Sequence, residues 1–178
     1  RILTPLIKFR ACRDARKVTG DAMEVRGGCG YIEEWADPRL VRDAHLGSIW
    51  EGTSNIVALD VKRAIQREGS LPVLQDYLHG LLADTQGITA AYRQALTDAL
   101  ARAVALAERA VAEDGERLVR QAATALYHCT TAIAMAWEAR KTGSFERLRL
   151  SQLVLAHRVL PRDPLQAVEV PADWLSVP

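Results

Sequence analysis

The 178-residue sequence lacks several features that would narrow its function directly. No apolar run approaches the roughly 18 residues of a membrane span, so no membrane partner is expected. The three cysteines, Cys12, Cys29 and Cys129, form no CxxC pair, which indicates structural thiols in a reduced, cytoplasmic protein. The four histidines share no short motif with a cysteine or a carboxylate, so no metal site is predicted. The formal net charge of +1 gives no general reason to expect a nucleic-acid partner.

The N-terminus lacks an initiator Met and any apolar stretch long enough for the core of a signal peptide. Its first residues, RILTPLIKFRACRDARK, are typical of the interior of a helix. We therefore expect the chain to be a fragment of a longer protein.

The first part of the sequence is patterned as helices. Apolar residues recur at helical spacing over residues 5–25, and the glycine pair that follows is typical of a helix end. An irregular loop is predicted over 27–36, a short helix over 37–47, and a further helix over 53–68. The residues of this last helix expected to face inward are Ile56, Leu59, Val61 and Ile65.

Helical patterning continues to about Leu160. Gly69 should end one helix and Ser70 should cap the next. Two long helices are predicted over about 88–114 and 118–143, and Ser144 should cap a last one. Four prolines after residue 160 predict an irregular tail. No alternating strand pattern of useful length is present, so the prediction is an all-α bundle of six or seven helices, two of them longer than about 20 residues.

The segment GSIWEGTSN, residues 47–55, has the residue types of a reactive site. It places the Glu51 carboxylate between Trp50 and Gly52, next to the predicted helix start at Thr53. A helix N-terminus favours the ionised acid, whereas an apolar ring that excludes water raises its pKa. The missing side chain at Gly52 would let a ligand come close. The alternative is an exposed glutamate in an ordinary turn, and these nine residues leave both open.

Residues 22–65 closely resemble the C-terminal helical domain of flavin-dependent acyl-CoA dehydrogenases. The resemblance is carried by three motifs at the family's spacing: GGCGY at 27–31, PRLVRDA at 38–44 and IWEGTSNI at 49–56. The words SIWEG and ALDVKRAI look most like the alkylation-response (AidB) branch of the family. The resemblance implies two parts, residues 1–68 in the dehydrogenase C-terminal domain and residues 69–178 in an AidB-like helical extension.

The resemblance implies a role for several residues. Glu51 matches the catalytic base, which takes the α-proton of an acyl-CoA while a β-hydride passes to FAD, giving a 2-enoyl-CoA. Trp50 and Gly52 match substrate-binding positions. The positions that match contacts to FAD, some of them to the FAD of a neighbouring subunit, are Glu24, Gly27, Gly28, Thr53 and Asn55. The family also implies a homotetramer or dimer, and the isolated fragment is expected to bind FAD poorly and to lack turnover.

An alternative function is that of a DNA-associating, alkylation-response module with weak dehydrogenase activity, as in the AidB branch. Its footprint on duplex DNA would be a basic group in the extension, since arginines and lysines neutralise phosphates. This group comprises Arg140, Lys141, Arg147, Arg149, Arg158 and Arg162, with Glu146 as the one acidic residue between 140 and 162.

Overall fold

The structure is a computed structural model that describes residues 1–85, 87–165, 167 and 169–175. These residues contain nine α-helices and no β-strand, which confirms the all-α prediction. The helices are α1 Leu3–Val25, α2 Gly28–Tyr31, α3 Asp37–Leu46, α4 Ser54–Glu68, α5 Ser70–Ala83, α6 Ala90–Val111, α7 Val119–Thr142, α8 Phe145–Val154 and α9 Ala172–Leu175.

Three of the described helices, and not the two predicted, are longer than 20 residues. They are α6 and α7, with 22 and 24 residues, and α1, with 23 residues because it already begins at Leu3. The two helices of four residues, α2 and α9, were not predicted at all.

The predicted loop over 27–36 is wrong in its first part, where residues 28–31 form α2. Gly27 has a φ of 59° and turns the chain at the end of α1. Gly30 then packs on α1 so closely that a Cβ placed there would lie 2.1 Å from the Met23 carbonyl oxygen. A residue with a side chain could not take this position.

The inward face of α4 was predicted only in part: Val61 is buried and Ile65 packs against the core as predicted, but Ile56 is not inward. The buried residues are Val57, Ala58, Val61 and Ala64, whereas Ile56 is 50% exposed. The prediction followed the large apolar residues, but small alanines form the face that approaches the neighbouring helices most closely. Ser70 does not cap α5 as predicted; its hydroxyl donates to the Ala64 carbonyl oxygen over 2.6 Å, and Gly69 turns the chain with a φ of 57°.

The centre of the molecule is the pair formed by α6 and α7. Tyr92, Leu96 and Leu100 of α6 are at most 1% exposed, as are Leu126 and Ile133 of α7. Helices α1, α4, α5 and α8 all contact α7. One hydrophobic core therefore joins residues of the dehydrogenase-like segment 1–68 with residues of the segment 69–178.

The end of the described chain is anchored in this core. After α8, whose N-terminus is capped by the Ser144 hydroxyl as predicted, a π-helical turn runs over Leu155–Val159. Further on, α9 inserts Trp174 against Tyr92, with 4.9 Å between the ring centroids. The Gln152 amide donates to the Trp174 carbonyl oxygen over 2.7 Å. The tail was predicted to be irregular, and the buried Trp174 explains why part of it is ordered.

Candidate active site

The turn between α3 and α4 presents the candidate base. Backbone N–H groups of Ile49 and Trp50 still donate to the Leu46 carbonyl oxygen, over 2.9 and 3.0 Å, so the chain stays coiled up to Trp50. Glu51 and Gly52 then take φ values of 55° and 107°, and the chain changes direction at these two residues. A non-glycine residue at positive φ costs free energy, and such residues are concentrated at functional sites.

A glycine is required at position 52 both by the backbone conformation of the turn and by the lack of room for a Cβ atom. A Cβ at this position would lie 3.0 Å from Cγ2 and 3.2 Å from Cβ of Ile56. Because Ile56 is in the first turn of α4, the turn lies directly on the helix start. Gly52 therefore places Glu51 at the N-terminus of α4, as the sequence indicated.

A lysine that the sequence analysis missed holds this turn against α1. The Lys8 ammonium donates to the Trp50 carbonyl oxygen over 2.6 Å and lies 3.4 Å from Oε2 of Glu51. The Ser48 hydroxyl makes a second connection, to the Cys12 carbonyl oxygen over 3.1 Å. Lys8 and Glu51 are 43 residues apart, so no local spacing in the sequence could have linked them.

The candidate base and its neighbours are open to solvent. The side chain of Glu51 is 88% exposed, and Trp50 and Ile49 are 66% and 61% exposed. The larger cavities formed by the described residues lie elsewhere. Because solvent screens the Lys8–Glu51 ion pair, its contribution to stability is small. The turn therefore presents the Glu51 carboxylate among exposed apolar side chains. A surface of this kind is expected to form only part of a site, which groups from outside this turn would complete.

The candidate cofactor residues form two separate groups. Thr53 and Asn55 lie at the start of α4, whereas Glu24, Gly27 and Gly28 lie at the other end of α1 from Lys8. The 16 residues from Lys8 to Glu24 correspond to about 24 Å of helix at 1.5 Å per residue. The two groups therefore do not meet in one pocket within a single chain.

The two groups also differ in their chemistry. The Thr53 side chain makes no capping hydrogen bond, so the N–H groups of the first turn of α4 keep free donor capacity. At Gly27 and Gly28 a Cβ would meet nothing within 4 Å, so both lie on an open surface. Glu24 is exposed beside them and carries a negative charge.

The loop after the glycine motif is fixed by ion pairs. Arg42 donates to Glu33 over 2.6 and 3.1 Å, and this bond lowers the pKa of the Glu33 carboxyl. Arg26 pairs with Asp37 over 3.1 Å. These contacts give Arg42 a structural role, with Glu33 as its partner.

The basic residues of the extension do not form one surface. Lys141 pairs with Asp84 over 2.6 Å, and Arg147 pairs with Glu138 over 3.4 Å. Bonds from Lys141 and Trp137 lower the pKa of the Asp84 carboxyl. The chain reverses direction between α7 and α8, and this reversal separates the remaining basic residues of the group from one another.

Arg158 shares a cavity with Thr124, whereas Arg140 lies 16 residues further along α7, about 24 Å away. Arg149 is largely buried, and its Nη1 atom is buried without a hydrogen-bond partner among the described residues.

A second basic group was missed. Arg10, Arg13 and Arg16 follow one another along α1, and Arg120 of α7 lies close to Arg13. Burial and then the charge of Arg120 lower the pKa of Arg13. Arg10, Arg13 and Arg16 are spaced three residues apart on α1, so these three of the four arginines could have been recognised as a group from the sequence.

Residues 1–66 match the family model described as the C-terminal domain of acyl-CoA dehydrogenases. The match confirms, over these residues, the resemblance carried by the GGCGY, PRLVRDA and IWEGTSNI motifs.

Three curated relatives illustrate the similarity. AidB of Escherichia coli (strain K12) is 44% identical over 71 residues, which are 40% of this chain and 13% of AidB. Acyl-CoA dehydrogenase family member 11 of Caenorhabditis elegans is 37% identical over 87 residues, 48% of this chain and 14% of the relative. Cyclohexane-1-carbonyl-CoA dehydrogenase of Geobacter metallireducens is 37% identical over 68 residues, 38% of this chain and 18% of the relative. The chain thus spans 13% to 18% of these relatives. No solved structure matches it.

The described residues contain neither a helix that could span a membrane nor a cluster of metal ligands. None of their helices is both long and apolar enough to cross a membrane. Within the same part of the chain, no group of three or more His, Cys, Asp or Glu side chains is placed to hold a metal ion.

Proposed function

We propose that Glu51 is the general base of an acyl-CoA dehydrogenase, and that it removes a proton from the carbon next to the thioester of an acyl-CoA. The observation that carries the proposal is the turn itself. A glutamate at positive φ, followed by an obligatory glycine, stands at the start of α4 within a segment that matches the family. A carboxylate so placed can accept a proton once a substrate lies within hydrogen-bond reach.

Three neighbours would prepare this carboxylate. The Lys8 ammonium lies 3.4 Å from Oε2 of Glu51, and its bond to the Trp50 carbonyl oxygen orients the turn. Trp50 would shield the reacting carbon from water. Gly52 allows the positive φ of the turn, through which its backbone would be presented to the thioester. Lys8 is thus a positioning residue, and Glu51, Trp50 and Gly52 contact the substrate.

The described residues fit part of a flavin site. Thr53 and Asn55 offer polar groups at a helix N-terminus, where phosphate groups bind readily. Gly27 and Gly28 offer an open backbone to a second flavin, held by a neighbouring subunit, whereas the charge of Glu24 fits an anionic pyrophosphate poorly. When bound, FAD supplies the acceptor for the β-hydride.

The isolated 178-residue chain should bind FAD weakly and show no turnover. Glu51 is 88% exposed and Trp50 is 66% exposed, so water would occupy the place of the substrate. Exposed apolar residues continue over α2 and α3, including Tyr31, Trp35 and Leu40. We infer that other parts of the enzyme or other subunits cover this face. The three unpaired cysteines support a cytoplasmic location.

Duplex DNA is a second candidate partner. It is supported by Arg140 and Arg158, which have no acidic partner among the described residues, and weakened by the burial of Arg149 and by the ion pairs of Lys141 and Arg147. If the arginines neutralise phosphates, the affinity for random duplex should fall steeply as salt is raised. An affinity that does not change with salt would exclude this role.

The main proposal is tested with the flavin-loaded enzyme that contains this domain. In Glu51→Gln, an acyl-CoA should bind but reduce the flavin at least about 100-fold more slowly, because the amide cannot accept the proton. The matched control is Glu34→Gln, an exposed glutamate in the loop before α3. Equal rates of flavin bleaching in Glu51→Gln and the control would remove Glu51 from this role.

A further inference from the structure

A cavity separate from the turn that carries the candidate base has the features of a second site. It lies between α6, α7 and the π-helical turn Leu155–Val159, and its volume is about 330 Å³. This is at the small end of the range of about 300–1,000 Å³ that is usual for ligand pockets. It shares no residue with the turn around Glu51.

The cavity exists because of two local features. Its lining includes small side chains, namely Ala125 of α7 and the almost fully buried Ala99 and Ala103 of α6. Its edge is formed by the π-helical turn, in which the Leu160 N–H donates to the Leu155 carbonyl oxygen five residues earlier, over 3.0 Å. The extra residue in this turn brings Arg158 and Val159 to the opening. Such π-helical turns are frequent at functional sites.

The cavity carries a positive charge that no carboxylate in its lining neutralises. Arg102 of α6 and Arg158 both line it, and no carboxylate does. Among the described residues, neither arginine takes part in an ion pair or a side-chain hydrogen bond, and the Gln121 amide beside them also makes none. The cavity around Arg42 is different, because the Glu33 carboxylate lies 2.6 Å from the Arg42 guanidinium and neutralises its charge.

Two buried groups of α7, His128 and Cys129, lie one helical turn beyond the cavity residues Thr124 and Ala125. His128 lies one turn beyond Thr124 on α7, and its pKa is lowered to about 4 by burial and then by the charge of Arg10, with a smaller contribution from Arg158. Asp14 of α1 opposes this effect but does not cancel it. On the same helix, burial raises the pKa of the Cys129 thiol to about 12, and Arg102 acts against that shift.

We propose that this cavity binds an aliphatic monocarboxylate. Arg102 and Arg158 would bind its carboxylate, since guanidinium groups match the geometry of a carboxylate, and Gln121 would donate a further hydrogen bond. Its hydrocarbon chain would lie against Leu106, Ala125 and Val159, which line the cavity and are only partly buried. An anion without a hydrocarbon chain would satisfy the arginines but leave these apolar side chains in contact with water.

The proposal is tested by calorimetric titration of the 178-residue chain with sodium hexanoate. Hexanoate should bind at one site per chain, at least about tenfold more tightly than hexan-1-ol or inorganic phosphate, because each of these provides only half of the contacts. Arg102→Gln and Arg158→Gln should each weaken binding about tenfold. The control Arg109→Gln, an exposed arginine of α6 that does not line the cavity, should bind like the wild type.

Ala125→Leu provides an independent variant, because it fills the cavity from α7 and leaves both arginines in place. It should abolish hexanoate binding while circular dichroism shows an unchanged helix content. The proposal is overturned if hexanoate does not bind, if hexanol or phosphate binds equally well, or if binding survives in Ala125→Leu. The comparison among the three ligands uses the wild-type chain, so it remains decisive even where a variant fails to fold.

Discussion

Replacing Gly52 with alanine should destabilise the protein more than the same replacement at Gly69. Both glycines have positive φ, 107° and 57°. A Cβ at Gly69 would meet nothing within 4 Å, whereas at Gly52 it would lie 3.0 Å from Cγ2 of Ile56. In Gly69→Ala, a left-handed penalty of about 1–2 kcal/mol is partly offset by the lower entropy of the unfolded chain, so we expect a net loss of about 1 kcal/mol.

Gly52→Ala carries two additional costs. A φ of 107° lies outside the left-handed region that alanine tolerates, and Ile56 must move to make room. Together these effects should lower the free energy of unfolding by about 2–4 kcal/mol. Urea unfolding followed by circular dichroism measures both variants. Equal losses in Gly52→Ala and Gly69→Ala would show that the turn does not lie against α4 as described.

Three further perturbations have defined outcomes. Lys8→Met should remove the bond to the Trp50 carbonyl oxygen, lower the free energy of unfolding by about 1 kcal/mol and change the tryptophan fluorescence. Trp174→Ala should cost about 3 kcal/mol in urea unfolding, because it empties the space beside Tyr92. His128 has a lower pKa in the folded state, about 4, than the roughly 6.5 of an unfolded chain, so the unfolded state binds the proton more readily. The resulting loss of stability should begin as the pH falls through about 6.5, be complete below about 4 and amount to at most about 3 kcal/mol, and it should be absent in His128→Gln.

Each of these perturbations has a control in the same chain. Lys17→Met removes an exposed ion pair with Asp21 and should cost less than about 0.5 kcal/mol. Leu165→Ala changes a side chain that is 93% exposed, and should leave stability unchanged. His79 is exposed on α5, so His79→Gln should keep the pH dependence of the wild type. If a control has the same effect as its partner variant, the contact assigned to that partner is not the cause.

The helices could be predicted from the sequence because their signals are local. Helical spacing gave the long elements, and Ser144 accepts a hydrogen bond from the Arg147 N–H over 3.2 Å as a capping residue should. Contacts that depend on tertiary packing could not be predicted. The close approach of Gly30 to Met23 creates α2, and the insertion of Trp174 beside Tyr92 orders α9.

The candidate site was predictable to a similar extent. The order Trp50, Glu51, Gly52 and the helix start were all visible in nine residues of sequence. Lys8 was not, because it reaches the turn from 43 residues away. The pairing of Arg102 with Arg158 around one cavity also depends on folding, since these residues are 56 positions apart and belong to different helices.

The exchange of the α-proton tests the role of Glu51 most directly. The flavin-loaded enzyme that contains this domain is incubated in D₂O with an acyl-CoA whose β-carbon cannot release a hydride, and deuterium at the α-carbon is followed by NMR. The account predicts rapid incorporation with Glu51 present and in the Glu34→Gln control, and none above the uncatalysed rate in Glu51→Gln. Deuterium incorporation at the wild-type rate in Glu51→Gln would contradict it.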